Sequence, residues 1–573
     1  MAVVQISRIQ IRRGKEQDAT GLPQLASGEM AWAVDTQKLY IGNGSVAEGS
    51  PNVGNTRVLT EHDVNGYGDF LSLLSHTYKP TLLQTGTTVN TPVVRLLQDR
   101  LDDRVTLKDF GAVGDGVTND TAALQRAINE LFLKTANPAY NTNNPTSIQS
   151  RITLEIPPGK YLITSTIYIP SYATIIGAGA NKTIFQYSGL GPVFQCVHDG
   201  YPTAWDFSTG TQPKFITMKG FTVWSTITTA SVMLLNSVVD SRFENIVLNG
   251  GYSETYTFLG GYTGNYNLNN HGISMTAYSS VSTSARNLFR DVKVTNCSYG
   301  IFSKHDIADN VFEDCSIVNV RIGIAFGIGS NNSVGQQFGP RNNVISRCIF
   351  ENIKQQALYV NIGTNNIIRN SKVGTAGANG GNVTFTKYSQ IYFKTFGNTA
   401  LDIQSDRPGQ LSSNTNITTP YVPELAGKGK YIAYSPRAIT LTQVTSPTLA
   451  FRLPVSTDEA GAPAGSVVYT VEYSYQSSNN AFTRRGTMTI SALIGTSPSY
   501  TAAKYQMSDD YDFAGVDSNE KSLKLTFSVK FLDQTGVDYT GAVGQVPSSI
   551  AVRYTNTLSG DSGALTYTYT SIQ

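Results

Sequence analysis

Through the middle of the chain, apolar and polar positions alternate in short runs that return at a regular spacing. "NLFRDVKVTNCSYGI" begins at Asn287, "NVFEDCSIVNVRIGI" at Asn310, "NVISRCIFENIKQQA" at Asn343 and "NIIRNSKVGT" at Asn366, with "SRFENIVLNG" from Ser241 in the same register. The steps are 23, 33 and 23 residues, so one coil carries an insertion of about ten residues in an otherwise regular solenoid. Val292, Cys315 and Cys348 share one inward column, and Cys297, Val320 and Ile353 share another. Cysteine there alternates with aliphatic residues and reads as a small buried hydrophobe. Asn296, Asn319 and Asn352 coincide, as do Asn287, Asn310, Asn343 and Asn366. Stacked asparagines suit coil turns, because they bond to one another and tolerate left-handed backbone.

The pattern changes on either side. In "VTLKDFGAVGDGVTNDTAALQRAINE", a strand leads through Gly111, Gly114 and Gly116 into a helix with Leu124, Ala127, Ile128 and Leu131 on one face. Asp120 is placed to cap it. The glycine spacing is the reverse of a dinucleotide fingerprint and lacks a P-loop ending, which argues against a phosphate site. "TPVVRLLQDRLDDRV" sets Val94, Leu97, Leu101 and Arg104 near 3-4-3 spacing, predicting a short helix. Past residue 430 the spacing becomes two: Val467, Tyr469, Val471, Tyr473 and Tyr475, then Leu523, Leu525, Phe527, Val529 and Phe531, then Leu565, Tyr567 and Tyr569. Such strands predict an antiparallel sandwich. "SDDYDF", with Asp509, Asp510 and Asp512, reads as a solvated turn or a calcium site, although its spacing is no EF-hand loop.

Composition narrows the picture. Charged residues are 15 % of the 573, the formal net charge is +2, and Gly (52) and Tyr (31) are abundant. That gives no electrostatic case for nucleic acid and favours a β-rich chain. No apolar run is long enough for a membrane span, and "MAVVQISRIQIRRG" lacks a signal peptide's apolar stretch. Four cysteines, none in a C-x-x-C pair, make neither a disulfide framework nor a zinc site.

"VTLKDFGAVGDGVTNDTAALQRAI" with "LEIPPGKYLI" resembles the opening segment of the pectate-lyase-like right-handed β-helix superfamily, in the form found in bacteriophage tailspikes and tail fibres. "LPQLASGEMAWAVDTQKLYIGNGS" resembles the small β-rich N-terminal module of phage tail fibres. The resemblance implies a mainly β protein with a virion-attachment module at 1–65, a linker with a short helix at 66–104, a right-handed parallel β-helix with its capping helix at 105–429, and a β-sandwich at 430–573 for trimerisation or receptor binding. It further implies a homotrimer, made in the host cytoplasm and carried on the virion tail. Its partners would be phage tail or baseplate proteins and a host surface polysaccharide, with no nucleic acid, membrane insertion, cofactor or metal. A secreted bacterial pectinase fits less well, given the missing signal and the fibre-like start.

Relatives that cleave polysaccharide make a glycosidase (or lyase) one reading and a non-catalytic structural or receptor-binding fibre the other. Glycoside hydrolysis needs two carboxyls about 5 Å apart for retention or 6.5–9.5 Å for inversion. One column reads Asn245, Asp291, Asp314, Arg347, Asn370, placing Asp291 and Asp314 one coil apart as the catalytic candidates. Glu244, Asp306 and Asp309 are weaker candidates, and Arg347 and His305 are candidate substrate contacts. A polar corner ladder is the preferred reading of the same column, since Asn245 and Asn370 also occupy it. The polygalacturonase motifs are incomplete: Asn-Thr-Asp and Arg-Ile-Lys are missing, and only His271-Gly272 stands for Gly-His-Gly.

Overall fold

The computed structural model describes residues 11–16, 23–49, 53–58, 75–77, 93–101, 103–132, 152–197, 212–227, 229–251, 270–275, 283–304, 306–328, 339–374, 391–395, 397–405, 425–427, 430–455, 465–478, 482–494, 503–515, 524–533, 536–542, 545 and 547–572. The chain divides into two compact units, 1–104 and 105–573.

In the first unit, Arg12–Gly14, Met30–Ala33, Lys38–Gly42 and Asn55–Val58 form one sheet in chain order. Alternation places Ala31, Ala33 and Tyr40 in a small core with Leu25. The expected helix nearby is shorter than its spacing suggested. Val94 lies in a strand, Val94–Leu96, paired with Ser75–Thr77, and only Leu97–Leu101 is helical. Arg95 folds the chain back by donating to both Asp103 carboxylate oxygens, at 2.7 and 3.0 Å, and to the Asp99 carbonyl.

The second unit opens with the glycine turn. Gly114 has φ 72°, and a Cβ there would meet the buried Tyr161 ring at 2.9 Å, so a side chain has no room. Asp120 sits just before the helix Thr121–Phe132, but its carboxylate turns away from the helix amides. It accepts instead from the backbone N–H groups of Val113 and Gly114, at 2.8 and 3.1 Å, tying the turn to the helix start. The helix buries Ala123, Leu124, Ala127, Ile128, Leu131 and Phe132 over the first coils.

The coils then stack as a parallel β-helix. Arg242–Asn249 pairs parallel with Leu288–Thr295, which pairs with Val311–Glu313 and Ser316–Val320. These in turn pair with Val344–Ser346 and Ile349–Ile353. A second sheet runs from Ile167–Ile169 through Tyr299–Phe302 to Leu425–Gly427. Inside, the rings of Phe243, Phe289 and Phe312 stack at 5.0 and 4.9 Å. All four cysteines are buried free thiols, and burial pushes Cys297 up to about 12.

The two asparagine columns do different work. Asn296, Asn319 and Asn352 are left-handed, with φ of 55, 55 and 51°. Asn287, Asn310, Asn343 and Asn366 are instead fully interior. Each donates its amide to the next coil's Oδ1 at 2.8–2.9 Å, and the row continues to Asn398. Interior polar groups persist only when bonded, and here each coil supplies the next one's acceptor.

At the far end, Lys430–Thr442 pairs parallel with the coil strand Thr399–Leu401 and antiparallel with Ser562–Ile572. It is at once the last rung of the solenoid and the first strand of a sandwich. One sheet continues through Gly465–Gln476, Phe482–Ile494 and Lys504–Gly515, and the other is Val444–Pro454, Pro547–Asn556 and Leu525–Asp533. Asp509, Asp510 and Asp512 therefore lie in a strand, Lys504–Gly515, and not in a turn. Pairing with Phe482–Ile494 extends that backbone, and Arg484, which is nearly buried, holds Asp509 at 2.5 Å. Among the described residues no helix is long and apolar enough to cross a membrane, and no group of three or more His, Cys, Asp and Glu could hold a metal.

Candidate functional site

Each coil changes direction at left-handed residues, and these corners form columns on the surface. One column is Asn245, Asp291, Asp314, Arg347, Asn370 and Asp402, all with φ between 48 and 53° except Asp314 at 55°. Asn and Asp tolerate this conformation because a short polar side chain can bond locally. Beside it runs a row of strand residues aligned one per coil, Glu244, Arg290, Glu313, the buried Ser346 and Arg369.

Column and row together make a charge zipper. Arg290 reaches Glu313 at 3.0 Å and Glu244 at 3.9 Å. Arg347 reaches Glu313 at 2.6 Å and grips both oxygens of Asp314, at 2.7 and 3.0 Å. Hydrogen bonding from Arg347 holds the Asp314 carboxyl below its ordinary range, and Arg347 then Arg290 do the same for Glu313. A carboxyl held this way stays ionised near neutrality and is a poor proton donor.

The structure thus brings Glu244, Asp291, Asp314 and Arg347 onto neighbouring coils of one corner. Asp291 is exposed there, one coil from Asp314. Asp306 and Asp309 belong to a different corner, separated from Asp314 by the strand Val311–Glu313, about 16 Å of extended chain from Asp309. There Asp306 lies 3.9 Å from Arg341, and Asp309 accepts from Asn342 in a column that also holds the bidentate pair Arg286–Asp240. His305 lies outside the described residues.

A feature that the sequence reading missed lies along the remaining corner. A groove of about 630 Å³ follows the left-handed asparagines, lined among others by Trp224, Asn249, Asn296, Asn319, Asn352 and Lys354. Trp224 ends the strand Thr217–Ser225 on its outward face and is 47 % exposed, unusual for so large a ring. The signal was present in "GFTVWS", where alternation sends Val223 inward and Trp224 out. With its amide oxygen turned toward the ring, Asn249 accepts the indole Nε1–H at 3.2 Å. Asn352 donates to Asn319 at 2.6 Å. At the Trp224 end the corner residue is Gly250, where a Cβ would collide with the Asn296 carbonyl at 2.6 Å. No carboxylate is among the described lining residues.

Residues 105–381 match the family described as rhamnogalacturonase A/epimerase, pectate lyase-like, and residues 9–46 match the major tropism determinant N-terminal domain. The non-secreted LysM effector LysM15 of Penicillium expansum is 25 % identical over 277 residues, covering 40 % of this chain and 19 % of that protein. The pre-neck appendage protein of Bacillus phage B103 is 28 % identical over 113 residues, covering 19 % of this chain and 11 % of that protein. The chain therefore spans less than a fifth of the length of these curated relatives. Tailspike protein 3 of bacteriophage CBA120 superposes with a TM-score of 0.37 at 16 % identity, covering 66 % of this chain and 61 % of that one. The sequence resemblance led us to expect a pectate-lyase-like β-helix behind a phage-type N-terminal module, and the two family matches fall on those segments.

Proposed function

We propose that this chain is a bacteriophage tail protein of the tailspike or tail-fibre kind, carried on the virion and recognising host cell-surface polysaccharide through its β-helix. One observation carries the reading: a phage-type N-terminal domain at 9–46 and a pectate-lyase-like domain at 105–381 occur in the same chain. The N-terminal module joins the chain to other tail proteins, and the working assembly is a homotrimer. Sedimentation of the purified chain tests the trimer.

Gripping is favoured over cutting. Glu313 and Asp314, neighbouring acids on the solenoid, are matched by Arg290 and Arg347, an arrangement suited to stabilising a corner. A glycosidase reading rests on Asp291, which is exposed one coil from Asp314, near the separation of a retaining pair. The test is to incubate the full chain with a panel of bacterial capsular and O-antigen polysaccharides, measuring retention and the release of reducing ends. Retention without new reducing ends is expected. Release that is abolished in Asp291→Asn, with unchanged melting, would establish the glycosidase instead. Absence of both retention and release across the panel would remove the polysaccharide reading altogether.

A further inference from the structure

The Trp224 groove has the chemistry of a saccharide subsite, an inference that rests on the polysaccharide reading above and locates it. Its lining is dominated by neutral amides and hydroxyls, including Gln186, Ser225 and Thr226, with Lys354 the one charged side chain among the described lining residues. An indole left 47 % exposed keeps apolar surface in water. A ligand with an apolar face and a polar rim recovers that surface. A pyranose ring is such a ligand, with C–H groups on its faces and hydroxyls around its edge.

The asparagines stand on hydrogen-bonded coils. Left-handed backbone sets Asn296, Asn319 and Asn352 at one corner, and Asn352 donates to Asn319. Preorganised donors and acceptors lose little freedom on binding. Successive coils rise by about 4.8 Å, comparable with the length of one sugar ring. An oligosaccharide lying along the solenoid axis therefore meets one asparagine corner per sugar.

We propose that the groove running from Trp224 along Asn296, Asn319 and Asn352 binds a pyranose oligosaccharide, reading its hydroxyls and one stacked ring face without using charge and without cleaving it. Cleavage by hydrolysis needs a carboxyl pair, and the described lining supplies none.

The test uses the full chain and whichever polysaccharide of the panel it retains. Trp224→Ala should weaken binding by more than about tenfold, as truncation of a central aromatic anchor does. Trp224→Phe should recover part of the loss. Added salt should change binding by less than about twofold, because screening acts on charge and not on stacking. Melting of each variant controls for folding. The Trp224 indole Nε1–H resonance, assigned by its disappearance in Trp224→Phe, should move on titration with oligosaccharides prepared from the same polysaccharide. Binding that survives Trp224→Ala, or an unmoved Trp224 resonance, overturns this groove as the site and leaves the polysaccharide function standing. A large loss with added salt overturns the charge-independent mode. Failure of the wild-type chain to bind any polysaccharide removes the functional reading itself.

Discussion

Asn343 lies wholly inside the solenoid, yet both ends of its amide are bonded. Its Oδ1 accepts from the backbone and side-chain nitrogens of Asn310, and its Nδ2 donates to Asn366 and to the Ile307 carbonyl. Removing it leaves the Asn310 backbone N–H and one Asn310 amide hydrogen without their acceptor, while Asn366 Oδ1 keeps the backbone N–H of residue 343. Leaving a buried polar group unpaired costs about 1–3 kcal/mol. Asn343→Ala should therefore lower unfolding stability by roughly 2–4 kcal/mol, read from the denaturation midpoint. A loss below about 0.5 kcal/mol, within the range of ordinary surface changes, would mean the row is ornamental. At the surface, Asp314 and Glu313 are held below ordinary carboxylate values by Arg347 and Arg290. A depressed folded-state value adds stability that is fully present above the unfolded value of about 4. It is lost as pH falls through the folded value. The contribution of these groups to the melting temperature should thus stay constant between pH 8 and 5 and disappear as pH falls below about 4. Arg347→Met should flatten part of that acid limb, and an unchanged pH profile would deny the zipper any role in stability.

At the scale of an element, the capping helix shows how a local signal and a distant one combine. Its apolar face is plain in Leu124, Ala127, Ile128 and Leu131, all of which the structure buries. Its start is governed by Asp120, whose carboxylate binds the turn at Val113 and Gly114. The spacing of Asp120 identifies a cap but does not say which amides it serves, because the turn's path depends on Tyr161 filling the space beneath Gly114. Ile128 is fully buried against the first coils. Ile128→Ala should cost about 2–5 kcal/mol, and protease sensitivity should rise first in residues 105–132. Uniform sensitivity along the chain would show that the helix is not a separable lid on the solenoid end.

For residues 105–573 as a whole, the strand Lys430–Thr442 joins solenoid and sandwich without a linker. Tyr431 is buried on it, stacked at 5.4 Å on Tyr569, with its hydroxyl 3.4 Å from the Ile403 carbonyl of the last coil. One continuous apolar core runs from Leu107 to Tyr569. Calorimetry of the full chain should show solenoid and sandwich melting together. Tyr431→Ala should move that transition down as one, since losing a large buried ring costs about 3–5 kcal/mol. Division into two endotherms, one of them unmoved, would show that the shared strand does not couple them.

The sequence by itself determined the solenoid, its capping helix and the columns of its coils. In a parallel β-helix each residue's neighbour is its counterpart one coil on, so the repeat in sequence is the contact in space. Asn287, Asn310 and Asn343 could be aligned by eye for that reason, as could Asn245, Asp291, Asp314 and Arg347. The tertiary structure decided what the columns do. It placed one asparagine row inside and another at left-handed corners, because inward or outward direction depends on where each strand ends. It also closed Arg347 onto Asp314 and Glu313, an event of side-chain reach across coils. Most of all, it decided the groove. Trp224 has no counterpart in the repeat, and Gly250 interrupts the asparagine corner beside it. An opening made by one ring and one missing side chain, on neighbouring coils, leaves no periodic trace; only the stacking of those coils brings it into being.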